Sequence, residues 1–411
     1  MLGLLPHLEQ NKNRYSIIFI TIIVFLNLII DQSINTILIE SVQPLDVNFK
    51  GWLTIGYMAL SIPGSLLMAG WSDFHCRRKT IIFALVFAFL SFIAMVIYNQ
   101  LDIKGLGIAS LIIKALLGNV TPICFAILAD KISKKRFRNV LAIAIIAYSI
   151  GIWAPIYFRS SLMTNLNFLF LFTATTLIAI ACTFLFVKDD KFDNVKLSRP
   201  PVSPKAFFSF LRNDTKLIVV FLISPIIAPA ILCFFFGEVS YYQFLLRGAL
   251  LSKADFFISQ ALVLAIGYFI GTIVLLVLGW LNIKDMTCIK IGLLISLLSS
   301  GAIIFEYYYS NISARLDILI ALFSIGFSLV TPSLFAAISK ISKVEEQGKI
   351  YGSLDSTDTL ATFSSALIIN RTKFSPIYLI LLFTFLIFSL SCAFFLRFLR
   401  RYKEVNNAHK F

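Results

Sequence analysis

Residues 16–40 read "SIIFITIIVFLNLIIDQSINTILIE". A helix needs about 20 apolar residues to cross the hydrocarbon core of a bilayer, so this run is long enough to span one. It also carries a carboxylate, Asp31, near its middle. An ionisable group at the centre of a membrane helix costs about 2.5–3.5 kcal/mol even on a lenient insertion scale. The stretch therefore predicts a membrane span, and it predicts that Asp31 has a partner or a task.

The rest of the chain is of the same kind. Of 411 residues, 59% are hydrophobic and only 14% charged, with a mean hydropathy of +0.89. A soluble domain of that size cannot bury so much apolar surface, so lipid is the solvent for most of it. The 41 Phe against 19 Gly suit lipid-facing helices better than the alternating strands of a barrel. Apolar windows recur at 16–40, 51–72, 80–98, 105–129, 139–158, 167–187, 217–243, 255–281, 289–309, 316–338, 350–370 and 375–398. The fold expected is an all-α membrane protein with twelve transmembrane helices in two six-helix bundles. The bundles cover 1–187 and 217–411, joined by a charged, Pro-bearing linker at 188–216, with a short basic tail from Arg397. The opening "MLGLLPHLEQNKNRY" is too polar, and the run after it too long, for a cleaved signal, so the first helix is expected to be retained.

The net charge of +15 raises the question of nucleic acid. Placed on the twelve-span layout with the N-terminus inside, 27 of the 36 Lys and Arg fall on the inner side and eight on the outer, Lys114 lying within a span. That asymmetry is the positive-inside pattern, so no nucleic-acid partner is expected and both termini are assigned to the cytoplasm. Short outer loops and an Ile-, Lys- and Asn-rich style point to a bacterial inner membrane. The six cysteines are scattered and the three histidines lie in termini or a short loop, which argues against a disulfide framework, a metal or a cofactor. No nucleophile–base set or phosphate loop appears, so an enzyme is not expected.

The two halves are related. Val120-Thr121-Pro122, followed by Phe125-Ala126, returns as Val330-Thr331-Pro332 with Phe335-Ala336, an offset of 210; Gly70-Trp71 returns as Gly279-Trp280, an offset of 209. Two matches at nearly one offset indicate a duplication, as in transporters whose halves rock about a central site.

Between spans two and three lies "AGWSDFHCRRKT", residues 69–80. It resembles the signature loop of the major facilitator superfamily: Asp73, Arg77 and Arg78 match, Ala69 and Cys76 stand for the two glycines, and Phe74 and Trp71 depart. A decayed copy at 278–290 has Asn282 for the Asp. The resemblance, which covers nearly the whole chain, implies alternating access. It also implies a cytoplasmic gating latch of Asp73, Arg77, Arg78 and Asp130, in which Asp73 meets the N-terminus of helix eleven near Lys349 and Arg77 meets Asp130. Read from the residues alone, Arg77, Arg78 and Lys79 are equally topology signals. Lys114-Ala-Leu-Leu-Gly118 resembles the Arg-x-x-x-Gly of proton-linked members with Lys in place of Arg, whereas the antiporter glycines of helix five are missing around Gly151 and Pro155. Asn27-x-x-x-Asp31-x-Ser33 is also similar to spinster-type lysolipid and sphingolipid carriers, with Gln32 where those have Arg.

Depth selects a partner for Asp31. It stands nine residues from Glu40, and Lys114 stands nine from Gly105, both counted from outer helix ends. At 1.5 Å per residue, both lie about 13–14 Å inside. The pair reads either as a proton-coupling device or as a static salt bridge. Further cavity candidates are Asp355 and Asp358, three apart on helix eleven, together with Glu238, Tyr242 and Gln243 near the end of helix seven, and Trp153 in helix five. The Glu238 group reads equally as an interfacial belt, and Trp71 and Trp280 as anchors. The function expected is a secondary active transporter, proton-coupled and monomeric, moving a small organic or amphiphilic solute. A passive facilitator, or a transporter-like sensor, is the alternative.

Overall fold

The computed structural model describes residues 5–41, 47–101, 103–134, 136–157, 166–187, 253–309, 313–341 and 347–372. Every regular element among them is a helix: α1 Leu5–Ser41, α2 Val47–Phe74, α3 Arg77–Leu101, α4 Lys104–Leu117, α5 Thr121–Lys131, α6 Phe137–Tyr157, α7 Leu166–Phe186, α8 Lys253–Trp280, α9 Asp285–Tyr309, α10 Ser313–Ile341 and α11 Gln347–Thr372. Among the described residues, six helical windows are long and apolar enough to cross a membrane: Ile18–Asn35, Arg77–Tyr98, Gly105–Lys131, Leu169–Phe186, Asp285–Ile303 and Asp317–Lys340. The linker at 188–216 and the expected spans at 217–243 and 375–398 lie outside the described residues.

The chain divides into two compact units. Unit 1 is Met1–Pro200 with Ser339–Asp355, and unit 2 is Pro201–Ile338 with Ser356–Phe411. The start of α11, up to Asp355, therefore groups with unit 1.

In unit 1, α7 shows which solvent the fold was built for. Its Thr176, Ala179 and Thr183 are buried, while Phe170, Leu171, Leu177, Ile178, Phe184 and Leu185 are exposed. Hiding threonines and displaying leucines reverses the rule for water and fits lipid, where packing and interhelical hydrogen bonds hold helices together. An apolar layer of Ile30, Ile34, Leu38, Phe92, Met95, Tyr98 and Leu111 ties α1, α3 and α4. Small residues permit the closest approaches. A Cβ on Gly151 of α6 would lie 2.6 Å from the Ile29 carbonyl of α1, and one on Gly64 of α2 would fall on the Ala115 carbonyl of α4.

Unit 2 uses the same device. A Cβ on Gly267 of α8 would lie 2.7 Å from the Ala321 carbonyl of α10, and one on Gly292 of α9 would lie 2.5 Å from the Gly326 carbonyl. α8 ends in a left-handed turn at Asn282 (φ 55°), with Ile283 N–H donating to Leu278 O at 3.0 Å and Asn282 N–H to Gly279 O at 3.1 Å. At the corresponding place in unit 1, Asp73 remains helical and its carboxylate is used elsewhere.

The fourth span is where the structure departs from the continuous helix read over 105–129. α4 stops at Leu117, and α5 begins at Thr121 after Gly118-Asn119-Val120. Pro122 contributes to the break. It has no N–H to give the carbonyl four residues back, which is Gly118 O. Pro155 likewise frees Gly151 O, and the Ser33 hydroxyl of α1 takes that acceptor at 3.1 Å.

Candidate functional site

The interruption in the fourth span is where the buried Asp31 and Lys114 meet. Lys114, in the last turn of α4, extends its side chain along the break. Its Nζ donates to the freed Gly118 O at 2.6 Å and to Asp31 Oδ1 at 2.6 Å. Both partners are sealed off, at 0% exposure for Asp31 and 1% for Lys114. The other carboxylate oxygen, Oδ2, accepts from Thr121 Oγ1 at 2.8 Å and from the Thr121 backbone N–H at 3.2 Å. That N–H opens α5, so Asp31 lies at the positive end of a half-helix dipole. Gln32 Nε2 donates to Thr121 Oγ1 at 2.9 Å, which turns the hydroxyl proton toward Asp31. The result is an anion shell of one ammonium, one amide and one hydroxyl. Continuing outward, Asn35 Nδ2 reaches Gln32 Oε1 at 3.4 Å and Tyr57 OH donates to Asn35 Oδ1 at 2.6 Å.

A second carboxylate adjoins the same break. Asp355 Oδ2 receives Ser65 Oγ of α2 at 2.6 Å and Asn119 Nδ2 at 3.2 Å, and Asn119 also bonds Ser65 Oγ. Asn119 belongs to the three-residue interruption itself. Asp358 lies one turn further along α11, half-buried, in the part grouped with unit 2.

A third cluster joins α2, α3, α5 and the start of α11. Asp73 Oδ1 accepts the Gly348 backbone N–H at 2.8 Å and Arg77 Nη1 at 2.8 Å. Arg77 Nε reaches Asp130 Oδ2 at 2.8 Å, and Nη1 also donates to Ser72 Oγ at 2.7 Å. There is no room for a side chain where α11 begins. A Cβ on Gly348 would lie 2.5 Å from Ala69 O and Asp73 Oδ1, and 2.6 Å from Arg77 Nη1. Arg77 Nη2 and Asp130 Oδ1 are buried without a hydrogen-bond partner among the described residues. Arg78 does not join this cluster: its guanidinium carbon lies 4.7 Å from the centre of the Phe184 ring, a cation–π contact with α7.

The remaining expected residues are distributed as follows. Trp153 lies in α6, with its side chain outside the described residues; Glu238, Tyr242 and Gln243 lie wholly outside them. Trp71 and Trp280 are 43% and 88% exposed, at the ends of α2 and α8. A cleft of about 570 Å³ opens beside Asp130, with Ile18, Ile22, Lys131 and Arg136 on its walls, and Asp31 and Lys114 are not among its lining residues. Sequence reasoning paired Asp31 with Lys114 but missed Thr121, Gln32, Asn119 and Ser65. One signal pointed to them: a proline four residues after Gly118, which frees a carbonyl beside a lysine.

These features define a class: a polytopic helical membrane protein that encloses an ion pair and a broken helix inside a lipid-facing bundle. The chain belongs to the Major Facilitator Superfamily, a family of membrane transporters, whose family model matches residues 17–366. No curated protein sequence matches the chain significantly. Solved structures share the fold at low identity. The crystal structure of the human organic anion transporter MFSD10 (TETRAN) is similar at a TM-score of 0.74 and 16% identity, over 92% of this chain and 99% of that one. A bacterial homologue of the iron transporter ferroportin, in an outward-facing state, gives 0.71 and 14%, over 93% and 98%. The E. coli fucose:proton symporter FucP gives 0.65 and 15%, over 94% and 98%.

Proposed function

We propose that this protein is a proton-coupled secondary active transporter that moves a small organic or amphiphilic solute by alternating access, in a bacterial inner membrane with both termini cytoplasmic. The observation that carries the reading is the Asp31–Lys114 pair at 2.6 Å, sealed from solvent at the N-terminus of a half-helix. A static packing contact needs only small residues, whereas a buried carboxylate and ammonium at a helix break form a charge balance that one proton can tip. Protonating Asp31 removes the anion that α5 and Lys114 share. Lys114 then loses its counter-ion and is left with neutral acceptors, Gly118 O among them, and the net charge of the site rises by one.

The Asp73–Arg77–Asp130 cluster serves in this reading as the cytoplasmic latch. Its donors are the Gly348 amide at the start of α11 and one guanidinium, both of which can let go without breaking a helix. Asp355 and Asp358 are candidates to face the solute.

The test starts from a ligand panel screened for thermal stabilisation of the purified protein. With the ligand so found, Asp31→Asn in proteoliposomes is expected to abolish uphill accumulation while leaving counterflow exchange. Full uphill transport by that variant at every pH sinks the coupling role. Accumulation that persists in wild type when a protonophore is added favours a proton-independent carrier instead.

A further inference from the structure

We propose that Asp355 is a second proton-binding group and that Asn119, from within the α4–α5 interruption, is the positioning residue that makes its proton affinity answer to Asp31. The inference rests on the coupling role proposed for Asp31, but its measurement reads Asp355 separately.

The argument begins with the two carboxylate shells. That of Asp31 is built for an anion: an ammonium, a backbone N–H, and a hydroxyl whose own acceptor site is taken by Gln32. The described partners of Asp355 Oδ2 are a serine hydroxyl and an asparagine amide. A hydroxyl donates to a carboxylate and accepts from a carboxylic acid with a small rotation. Ser65 has a place to send its proton in the second case, since Ser61 O lies 2.9 Å from its Oγ. The Ser65 contact thus serves both protonation states of Asp355 without rearranging the backbone.

The link between the sites is covalent and short. Gly118 O is held by Lys114 Nζ, Thr121 N–H is held by Asp31, and Asn119 stands between them on the same unwound turn. Gly118 N–H still bonds Lys114 O at 3.1 Å and Val120 O still takes Cys124 N–H at 3.0 Å, so the helical ladder is open between these two bonds, where Asn119 stands. When Asp31 is protonated, Lys114 and Thr121 lose the charge that pins both ends of this turn. Asn119 then shifts relative to Asp355, which loses an amide donor that favours its ionised form. Among the described residues, the charged or titratable groups that act on Asp355 from neighbouring elements are Asp31 of α1, Tyr57 of α2 and Lys114 of α4; Asp358 is the next acid along α11. Asp31 and Lys114 also act directly through space, so the wire must be separated from simple electrostatics.

Infrared pH-difference spectroscopy of the full chain in lipid bilayers makes that separation, with protons as the probe. The carboxyl band lost in Asp31→Asn belongs to Asp31, and the band lost in Asp355→Asn belongs to Asp355. In the otherwise wild-type chain, Asp31→Asn is expected to change the proton-binding constant of Asp355 by about fivefold or more, the lower end of common site–site coupling. In Asn119→Leu the same change is expected to shrink to the part that direct electrostatics between buried groups carries. Asn119→Ser, which keeps a donor, is expected to restore part of it, and Asn119→Ala carries the expectation if Asn119→Leu does not fold. An Asp355 band that never titrates while the protein remains folded overturns the second site. Equal coupling with and without Asn119 overturns the wire. An Asp31 band that never titrates, beside an Asp355 band that does, sinks the coupling role of Asp31 and overturns the wire, while Asp355 stands as a proton-binding group.

Discussion

Replacing Lys114 by Met removes one charge and two hydrogen bonds from a place that water does not reach. Methionine is unbranched and close in length, so packing around α4 is largely kept. What is lost is the ammonium at 2.6 Å from both Asp31 Oδ1 and Gly118 O. Breaking a buried ion pair by deleting one partner costs about 3–5 kcal/mol, because the other charge stays behind uncompensated. Gly118 O, already without its helical donor because of Pro122, becomes a second orphan at about 1 kcal/mol or more. The double variant Asp31→Asn with Lys114→Met removes both charges and keeps the Thr121 contacts to an amide oxygen. Neutral replacements of whole buried pairs are commonly tolerated, so the double variant is expected to recover most of the loss, within about 2 kcal/mol of wild type. The assay is the unfolding midpoint of the purified protein in detergent for wild type, both single variants and the double. The order expected is wild type and double high, both singles low. If the two losses simply add, the carboxylate and ammonium do not support each other, and both the pairing and the functional reading built on it fail.

Three other substitutions probe separate parts of the reasoning. Thr121→Val keeps shape but removes the hydroxyl between Asp31 and Gln32, at an expected cost of about 1–3 kcal/mol in the same unfolding assay. Its repeat-related control, Thr331→Val in α10, whose hydroxyl back-bonds to Phe327 O at 3.2 Å, is expected to cost under about 0.5 kcal/mol. Gly348→Ala drives a methyl into Ala69 O, Asp73 and Arg77, so hydrogen–deuterium exchange at the start of α11 is expected to accelerate markedly; unchanged protection there would refute the close packing. Arg77→Lys keeps the charge but not the fork that reaches Asp73, Ser72 and Asp130 together, and it is expected to raise exchange at the same amides while leaving α7 unaffected.

Much of the architecture was readable before any coordinates because lipid as solvent narrows the choices. Backbone groups must bond within their own segment, so long apolar runs are helices, and a helix of constant rise converts residue counts into depth. Counting nine residues from each outer end put Asp31 and Lys114 level, and the structure puts them in contact. The loop at 69–80 suggested where Asp73, Arg77 and Asp130 meet. It misplaced Arg78, since the side of α3 on which each guanidinium falls depends on rotation about the helix axis and on what α7 offers.

The broken helix shows where chain order runs out. Val-Thr-Pro occurs at 120–122 and at 330–332, yet α10 passes through Pro332 as one helix while the fourth span parts at Gly118. The proline is the same in both, and so is the missing N–H. What differs is the company. In unit 1 a lysine on the same turn and an aspartate on α1 take up the groups that the break exposes, whereas the position matching Lys114 in α10 is Ser324, bonded back into its own helix. The Asp73 and Asn282 pair repeats the lesson: one loop position holds an incoming helix amide, and its copy closes a helix in a left-handed turn. Composition and periodicity suffice for elements whose own hydrogen bonds satisfy them. An interrupted helix leaves groups that only a neighbour can satisfy, and that neighbour lies 83 residues away in the case of Asp31 and Lys114.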